Sequence, residues 1–300
     1  MKYKVRLSWH NSENIWKIKL ARYFSRLFSY IYIKPLENIG IILGMIFSKM
    51  PLYLSFSLKQ SLQLTTKMPL TLDIKVAVDR RTDYIRAQFC NKERSTCQWI
   101  EKYYKKGDVI YDVGANIGAV SLISAIYLEK DCLVYAFEPL PSTFSMLFKN
   151  VMINNCDKVI IPLNIALSDK VEINQFNLTS IESGTSGHSL DKVNIKPLKD
   201  LNKSLTVFTQ TLDNLVRSYH INPPNHIKID VDGVDYEVLM GGKKNILNNP
   251  ALKTILIEKN GKENQIRSLL KKYDFVEVEL KSNKGKYENI GFTRNYLQNQ

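Results

Sequence analysis

Several features that would assign a protein to a common class are scarce in this chain of 300 residues. The four cysteines, at 90, 97, 132 and 156, form no C-x-x-C pair, which disfavours zinc and dithiol redox sites and indicates reduced thiols in a cytoplasmic protein. The apolar run at 39–47 is far shorter than the roughly 20 residues that span a bilayer. The first residues also lack the compact charged region and cleavage site of a signal peptide.

Acidic residues are scarce at the start of the chain. Residues 1–70 hold 11 Lys or Arg but only Glu13 and Glu37, so they carry +9 of the net charge of +13. Aromatic and aliphatic side chains are interleaved with these cations. We therefore expect a basic, apolar, helical extension at 1–70 and a folded domain at 71–300.

Two interpretations of this extension stay open. It could lie as a helix on the anionic inner face of a membrane, or it could pack on the domain or on a second subunit of a homo-oligomer. Nucleic acid is the least favoured partner, because the basic residues sit among bulky aliphatic ones and no recognition module accompanies them.

A dinucleotide fingerprint, G-x-G-x-x-G, is also missing. Residues 108–118 instead read as a strand, a tight loop and a helix start, with the pattern D-x-G-x-N-x-G at Asp112, Gly114, Asn116 and Gly118. The next strand ends on Glu138, about 20 residues later, the spacing of a carboxylate that binds a ribose. A carboxylate at the loop repels a pyrophosphate but suits a cation, such as the sulfonium and ammonium of S-adenosylmethionine.

Strand and helix patterns alternate through the rest of the chain, and two strand patterns near 275–280 and 289–294 close it. This alternation predicts an α/β fold with a doubly wound, mostly parallel sheet and an antiparallel edge strand. Before it, residues 70–89 alternate on both sides of a polar turn at 79–83, which predicts a hairpin. Ligands of such sheets bind beyond the carboxyl ends of the strands.

Five segments in order resemble the FkbM family of S-adenosylmethionine-dependent methyltransferases: Asp112-Val-Gly-Ala-Asn-Ile-Gly118, Phe137-Glu-Pro139, Asn164-Ile-Ala-Leu-Ser-Asp169, Thr211-Leu-Asp-Asn-Leu215 and Lys228-Ile-Asp-Val-Asp-Gly233. The resemblance implies a class I, Rossmann-like domain that methylates hydroxyls of sugars or secondary metabolites. It implies that Gly114, Asn116 and Gly118 cradle the methionine end, that Asp112 orients the loop and faces the ammonium, and that Glu138 holds the ribose. Asn164 and Ala166 would lie near the adenine.

Catalysis on a hydroxyl needs a general base or a cation that lowers the hydroxyl pKa. Asp230 and Asp232 follow a strand and are candidate catalytic or Mg²⁺-binding residues. Glu258, at the end of the predicted neighbouring strand, is a further candidate Mg²⁺ ligand. Close carboxylates could instead share a proton or pair with a lysine. For Asp232 the alternative role is a helix N-cap; for Asp235, a simple solvated or capping role is favoured. His188, in the polar loop 180–190, is a further candidate base.

We therefore expect an O-methyltransferase that acts on a sugar, a glycan or a glycolipid made at the inner membrane surface, or on a small secondary metabolite. Two alternatives remain: methylation of RNA or protein by the same fold, and a non-catalytic scaffold that binds S-adenosylmethionine. An Asn/Asp-Pro-Pro-aromatic motif would favour methylation of a base or amide, and Asp230-Val-Asp-Gly233 stands in its place.

Overall fold

The computed structural model describes residues 34–47, 49–62, 64–69, 73–177, 180–184, 189–192, 204–280 and 289–296. The chain divides into two compact units, Met1–Leu64 and Thr65–Gln300. The described part of the first unit contains helices α1 (Lys34–Phe47) and α2 (Leu52–Ser61). No helix in the described ranges is long and apolar enough to cross a membrane.

The second unit alternates strands and helices. Its strands are β1 (Thr65–Lys67), β2 (Lys75–Ala77), β3 (Val109–Val113), β4 (Leu133–Phe137), β5 (Ile160–Leu163), β6 (Ala166–Leu167), β7 (Glu172–Asn177), β8 (Ser189–Lys192), β9 (Ser204–Gln210), β10 (His226–Ile229), β11 (Thr254–Glu258), β12 (Phe275–Val278) and β13 (Asn289–Arg294). Its helices are α3 (Arg81–Ala87), α4 (Phe89–Lys92), α5 (Arg94–Tyr103), α6 (Ala119–Tyr127), α7 (Pro141–Ile153), α8 (Leu212–Tyr219), α9 (Asp235–Met240) and α10 (Glu263–Lys271).

A seven-stranded sheet with the order β12-β13-β11-β10-β3-β4-β5 forms the centre of this unit. The five strands from β11 to β5 run parallel, and β13 is antiparallel to both of its neighbours, so the predicted mostly parallel sheet with an antiparallel edge is confirmed. The chain moves from β3 towards β4 on one side and later returns to β10 on the other. The β3/β10 junction is therefore the topological switch point, where ligands of such sheets bind.

The predicted hairpin at 70–89 is wrong in its second half. Strands β1 and β2 pair as a hairpin, but their connection lies at 68–74 and residues 81–87 form α3. The side chain of Asp83 caps this helix, because its Oδ2 accepts hydrogen bonds from the backbone N–H groups of Asp79 (3.1 Å) and Arg80 (2.9 Å). Tyr84 and Ile85 therefore lie in a helix, with exposed side chains, rather than in a strand.

A second sheet occupies much of the long polar stretch between β5 and α8, for which the sequence predicts no strand. It contains four strands in the order β6-β9-β7-β8. Asn174 of β7 and Val207 of β9 pair across this sheet, and both are buried. Ile173 and Phe208 pair in the same ladder, and their side chains are exposed.

Buried polar groups join the amino ends of β3, β10 and β11. His226 is 0% exposed, its Nε2 lies 2.8 Å from Asp108 Oδ2, and its Nδ1 lies 2.8 Å from Thr254 Oγ1. Lys253 Nζ donates to Asp108 Oδ1 at 2.6 Å. Because each of these polar groups has a partner, the network ties three strands together at their amino ends, at the edge of the sheet opposite the carboxyl ends where ligands bind.

Candidate active site

A cavity of about 1010 Å³, including the solvent at its mouth, lies beyond the carboxyl ends of the parallel strands. Seven of the residues that the sequence predicts for the site line it: Gly114, Asn116, Glu138, Ala166, Asp230, Asp232 and Glu258. Three others, Asp112, Gly118 and Asn164, do not line it. His188 falls outside the described residues.

The loop between β3 and α6 packs closely against the end of β10. Gly114 has φ +79°, and a Cβ built on it would lie 2.1 Å from the carbonyl oxygen of Asp230. Gly118, with φ +90°, precedes α6, and a Cβ there would meet the Leu147 side chain. Only glycine adopts these two backbone conformations without strain, so the loop brings Gly114 and Asn116 to the cavity wall.

Asp112 points at the helix start. It is 2% exposed, and its Oδ2 accepts hydrogen bonds from the backbone N of Ser121 (3.0 Å) and from the Ser121 Oγ (2.5 Å). Burial raises its pKa to about 6, although the hydrogen bonds from Ser121 and the charge of Lys228 oppose this rise. The loop-orienting part of its predicted role agrees with this geometry, whereas its carboxylate does not reach the cavity wall.

Glu138 follows β4 and is fixed by the backbone around it. Its Oε2 accepts from the Asn116 N–H at 3.0 Å, and its Oε1 accepts from the Leu140 N–H at 2.9 Å. The Asn164 side chain holds the backbone of this corner, donating to the carbonyl oxygens of Glu138 (2.8 Å) and Pro139 (3.1 Å). Burial raises the pKa of Glu138 to about 7, so part of the population is protonated at neutral pH.

Asp230 lies between a cation and a second carboxyl group. Lys228 is 1% exposed, and its Nζ lies 3.3 Å from Asp230 Oδ2. Burial, together with a hydrogen bond to Asp230, raises the pKa of Glu258 to about 9, so Glu258 is the proton donor in this pair. Although burial favours the neutral form of Asp230, the charge of Lys228 and the hydrogen bond from Glu258 hold its pKa below the ordinary value. Asp230 is thus an ionised carboxylate that is 34% exposed to the cavity.

Asp232 and Asp235, the other two aspartates after β10, do not have the roles that the sequence suggests, an N-cap for Asp232 and a solvated side chain for Asp235. Val234 is the N-cap of α9, while Asp232 is exposed at the cavity. Asp235 is buried rather than solvated, Asn260 Nδ2 donates to it, and burial raises its pKa to about 7.

The candidate Mg²⁺ ligands do not form a metal site in this arrangement. Asp230 is engaged by Lys228 and Glu258, and Glu258 keeps its proton near neutral pH. Among the described residues, no group of three or more His, Cys, Asp or Glu side chains is placed to hold a metal ion. The donor set around Asp230 therefore fits a paired carboxylate better than a Mg²⁺ ligand.

Sequence patterns do not identify three other residues of the cavity wall. Arg86 on α3, Glu93 between α4 and α5, and Phe176 on β7 all line it. Arg86 and Glu93 precede the first strand of the central sheet, and Phe176 belongs to the second sheet. An acidic residue three positions after Arg80, namely Asp83, is the sequence signal that could have predicted the start of α3 and therefore the helical position of Arg86.

Comparison with known proteins identifies a family. A family model described as the methyltransferase FkbM domain matches residues 112–297. A hexuronic acid methyltransferase, AglP of Haloferax volcanii, is 33% identical over 137 residues, which are 46% of this chain and 51% of that protein. The chain thus spans about half the length of this curated relative.

Solved structures of low sequence identity were also found. An FkbM methyltransferase from Methylobacillus flagellatus is 12% identical with a TM-score of 0.48, over 71% of this chain and 52% of that one. TrmK of M. capricolum, solved with S-adenosylhomocysteine, is 12% identical with a TM-score of 0.40, over 66% of this chain and 67% of that one.

Proposed function

The chain belongs to the FkbM family of methyltransferases, and we propose that it transfers the methyl group of S-adenosylmethionine to a hydroxyl of a sugar in a glycan or glycolipid. The observation that carries this proposal is the cavity at the switch point, with the ionised Asp230 on one wall and the buried Glu138 on another. The 33% identity to a hexuronic acid methyltransferase supports a sugar as acceptor.

The residues around Glu138 fit the cofactor. Glu138 would accept hydrogen bonds from the ribose hydroxyls, Gly114 and Asn116 would lie along the methionine portion, and Ala166 would lie against the adenine. Gly118 and Asp112 would not contact the cofactor: Gly118 would shape the loop, and Asp112 would hold the start of α6. S-adenosylmethionine supplies an electrophilic methyl group on a sulfonium, so the protein has mainly to align and deprotonate the acceptor.

Asp230 is the proposed general base. It is ionised through the neutral range, faces the cavity and lies at the carboxyl end of β10. Lys228 and the protonated Glu258 hold its carboxylate in place, and the acceptor proton would move to it as the new bond forms. Asp232, exposed at the same wall, would contact the acceptor more loosely.

Titration calorimetry with S-adenosylhomocysteine tests the cofactor site. We expect the intact protein to bind it and Glu138→Ala to lose at least about tenfold in affinity, because the ribose hydroxyls lose a charged acceptor. Glu129→Ala is the matched control, since it removes an exposed carboxylate paired with Lys106. If folded protein does not bind S-adenosylhomocysteine, the proposed function is wrong.

The same titration should depend on pH. With a pKa of about 7, Glu138 is roughly one-tenth ionised at pH 6 and nine-tenths ionised at pH 8. Because ribose hydroxyls donate to the ionised form, affinity should rise by up to about tenfold over this interval. In Glu138→Gln the rise should disappear; an unchanged pH dependence in that variant would remove Glu138 from the ribose site.

The first unit carries the proposal that the protein contacts an anionic membrane surface. Helix α1 exposes its apolar side chains, among them Ile41, Ile42 and Met45, each more than half exposed. Residues 1–70, which include the whole of this unit, carry +9. The full chain should therefore sediment with vesicles that contain phosphatidylglycerol. A smaller fraction should sediment at high salt, and a smaller fraction of the Ile42→Asp variant should sediment than of the intact protein. The proposal would be contradicted if the protein sedimented equally well with neutral vesicles, or if it did not sediment with the anionic vesicles.

A further inference from the structure

Arg86 introduces a positive charge into the cavity wall. Burial is the largest influence on the pKa values of Glu93, Glu138 and Asp230, and the charge of Arg86 lowers all three. The guanidinium therefore acts on carboxyls from three different parts of the wall. Glu93 precedes α5, Glu138 follows β4 and Asp230 follows β10.

The Arg86 guanidinium is held in place by a hydrogen bond from its Nε atom. Its Nε donates to the carbonyl oxygen of Gly184 at 2.9 Å. Gly184 is itself fixed, because the neighbouring Ser183 donates from its Oγ to Asp83 (2.7 Å) and accepts at its carbonyl from the Thr82 Oγ1 (2.7 Å). Since Asp83 is fully buried, α3 and residues 180–184 form one anchored corner.

Among the described residues, the terminal nitrogens of Arg86 make no hydrogen bond. Over the ranges that the structure describes, the hydrogen bonding of Arg86 involves Nε only. Its two Nη groups, in the plane fixed by that bond, have the fork geometry that matches two oxygens of one anion. A pre-oriented guanidinium loses less side-chain entropy on binding than a free one does.

Near neutral pH the carboxyl groups around Arg86 compensate its charge only in part. Burial raises the pKa of Glu138 to about 7, and both of its oxygens already accept hydrogen bonds from backbone N–H groups. Lys228 already compensates the charge of Asp230, with 3.3 Å between Nζ and Oδ2. Glu258 carries a proton near neutral pH because its pKa is about 9, and burial also raises the pKa of Glu93. The wall that contains Arg86 can therefore accept an anion from outside the protein.

We infer that Arg86 binds the carboxylate of an acidic sugar, so that the acceptor is a uronic acid residue whose hydroxyl faces Asp230. This inference rests on the proposed function and adds a substrate class and a specificity-determining residue to it. The two Nη groups would donate to the two carboxylate oxygens, and the sugar ring would span the cavity between Arg86 and Asp230.

Binding of monosaccharides to the intact protein saturated with S-adenosylhomocysteine tests the inference. Saturation-transfer NMR titrations would use glucuronate, glucose and glucose 6-phosphate as probes. We expect glucuronate to bind at least about tenfold more tightly than glucose, since a charge-assisted pair distinguishes them. Arg86→Gln should abolish this preference. At pH 8, where Glu138 is mostly ionised, its affinity for S-adenosylhomocysteine should fall by no more than about threefold, because the loss of the Arg86 charge raises the pKa of Glu138.

Arg80→Gln is the matched control. Arg80 lies next to α3 and forms an ion pair with Glu182 at 2.7 Å, so this variant also loosens the 180–184 segment, but Arg80 does not line the cavity. It should keep the preference for glucuronate. Equal binding of glucose and glucuronate, a preference for glucose 6-phosphate, or equal losses in both variants would overturn the inference. If S-adenosylhomocysteine itself fails to bind, the proposed function fails first.

Discussion

Gly114→Ala should lower the affinity for S-adenosylhomocysteine by at least about a hundredfold and lower the melting temperature as well. The added Cβ would lie 2.1 Å from the Asp230 carbonyl oxygen, so either the β3–α6 loop or the end of β10 must shift. Left-handed backbone at a non-glycine residue costs about 1–2 kcal/mol, and overpacking adds typically about 1–3 kcal/mol. Calorimetric titration and thermal unfolding measure the two effects.

Gly107→Ala separates backbone strain from the clash. Gly107 precedes β3 at the opposite end of the sheet and has φ +83°, yet a Cβ there would meet no atom within 4 Å. This variant should show the strain alone, with a smaller fall in melting temperature and normal ligand affinity. If the two alanine variants bind S-adenosylhomocysteine equally well, the packing of Gly114 on β10 does not form the binding site.

Asp230→Asn should reduce the rate of methyl transfer by about 10²–10⁴, the usual contribution of a general base. Asparagine keeps the size of the side chain but cannot take the acceptor proton, and Lys228 would lose its anionic partner at 3.3 Å. Affinity for S-adenosylhomocysteine should stay within about threefold of that of the intact protein. Transfer of labelled methyl groups to uronate-containing glycolipids or glycosides measures the rate.

Asp232→Asn provides the comparison on the same cavity wall. Asp232 is exposed, and solvent screens an exposed charge, so the loss of its charge should cost less than about tenfold in rate. A rate for Asp230→Asn equal to that of the intact protein would exclude Asp230 as the base. A larger effect at Asp232 than at Asp230 would move the base to the exposed position.

Strong local patterns explain why the central sheet was predictable. The β-branched run before Gly114 predicts β3, and the acidic residue Glu138 marks the end of its neighbour β4. On the other side of β3, Asp112 pairs with Lys228 of β10. Because parallel strands end at one edge, residues far apart in the chain could be assigned to one site. Glu138, Asp230 and Glu258 all lie at the cavity as this reasoning predicts.

Other features depend on contacts that the sequence does not reveal. The alternation in Tyr84–Phe89 suits a strand, but a side-chain cap from Asp83 starts a helix there. Asp112 could face either the ligand or Ser121, and a hydrogen bond of 2.5 Å to the Ser121 hydroxyl decides the direction. Arg86 enters the wall only because Asp83 and Ser183 join α3 to the 180–184 segment.

The Asp108, His226 and Thr254 network lies at the amino ends of the strands, whereas the cavity lies at their carboxyl ends. The groups that tie β3, β10 and β11 together are therefore separate from those that select the acceptor. Descendants of this chain can consequently exchange residues of the cavity wall for others without loosening the sheet. Divergence of substrate range within such a lineage should concentrate in α3, the second sheet and the segment after β10.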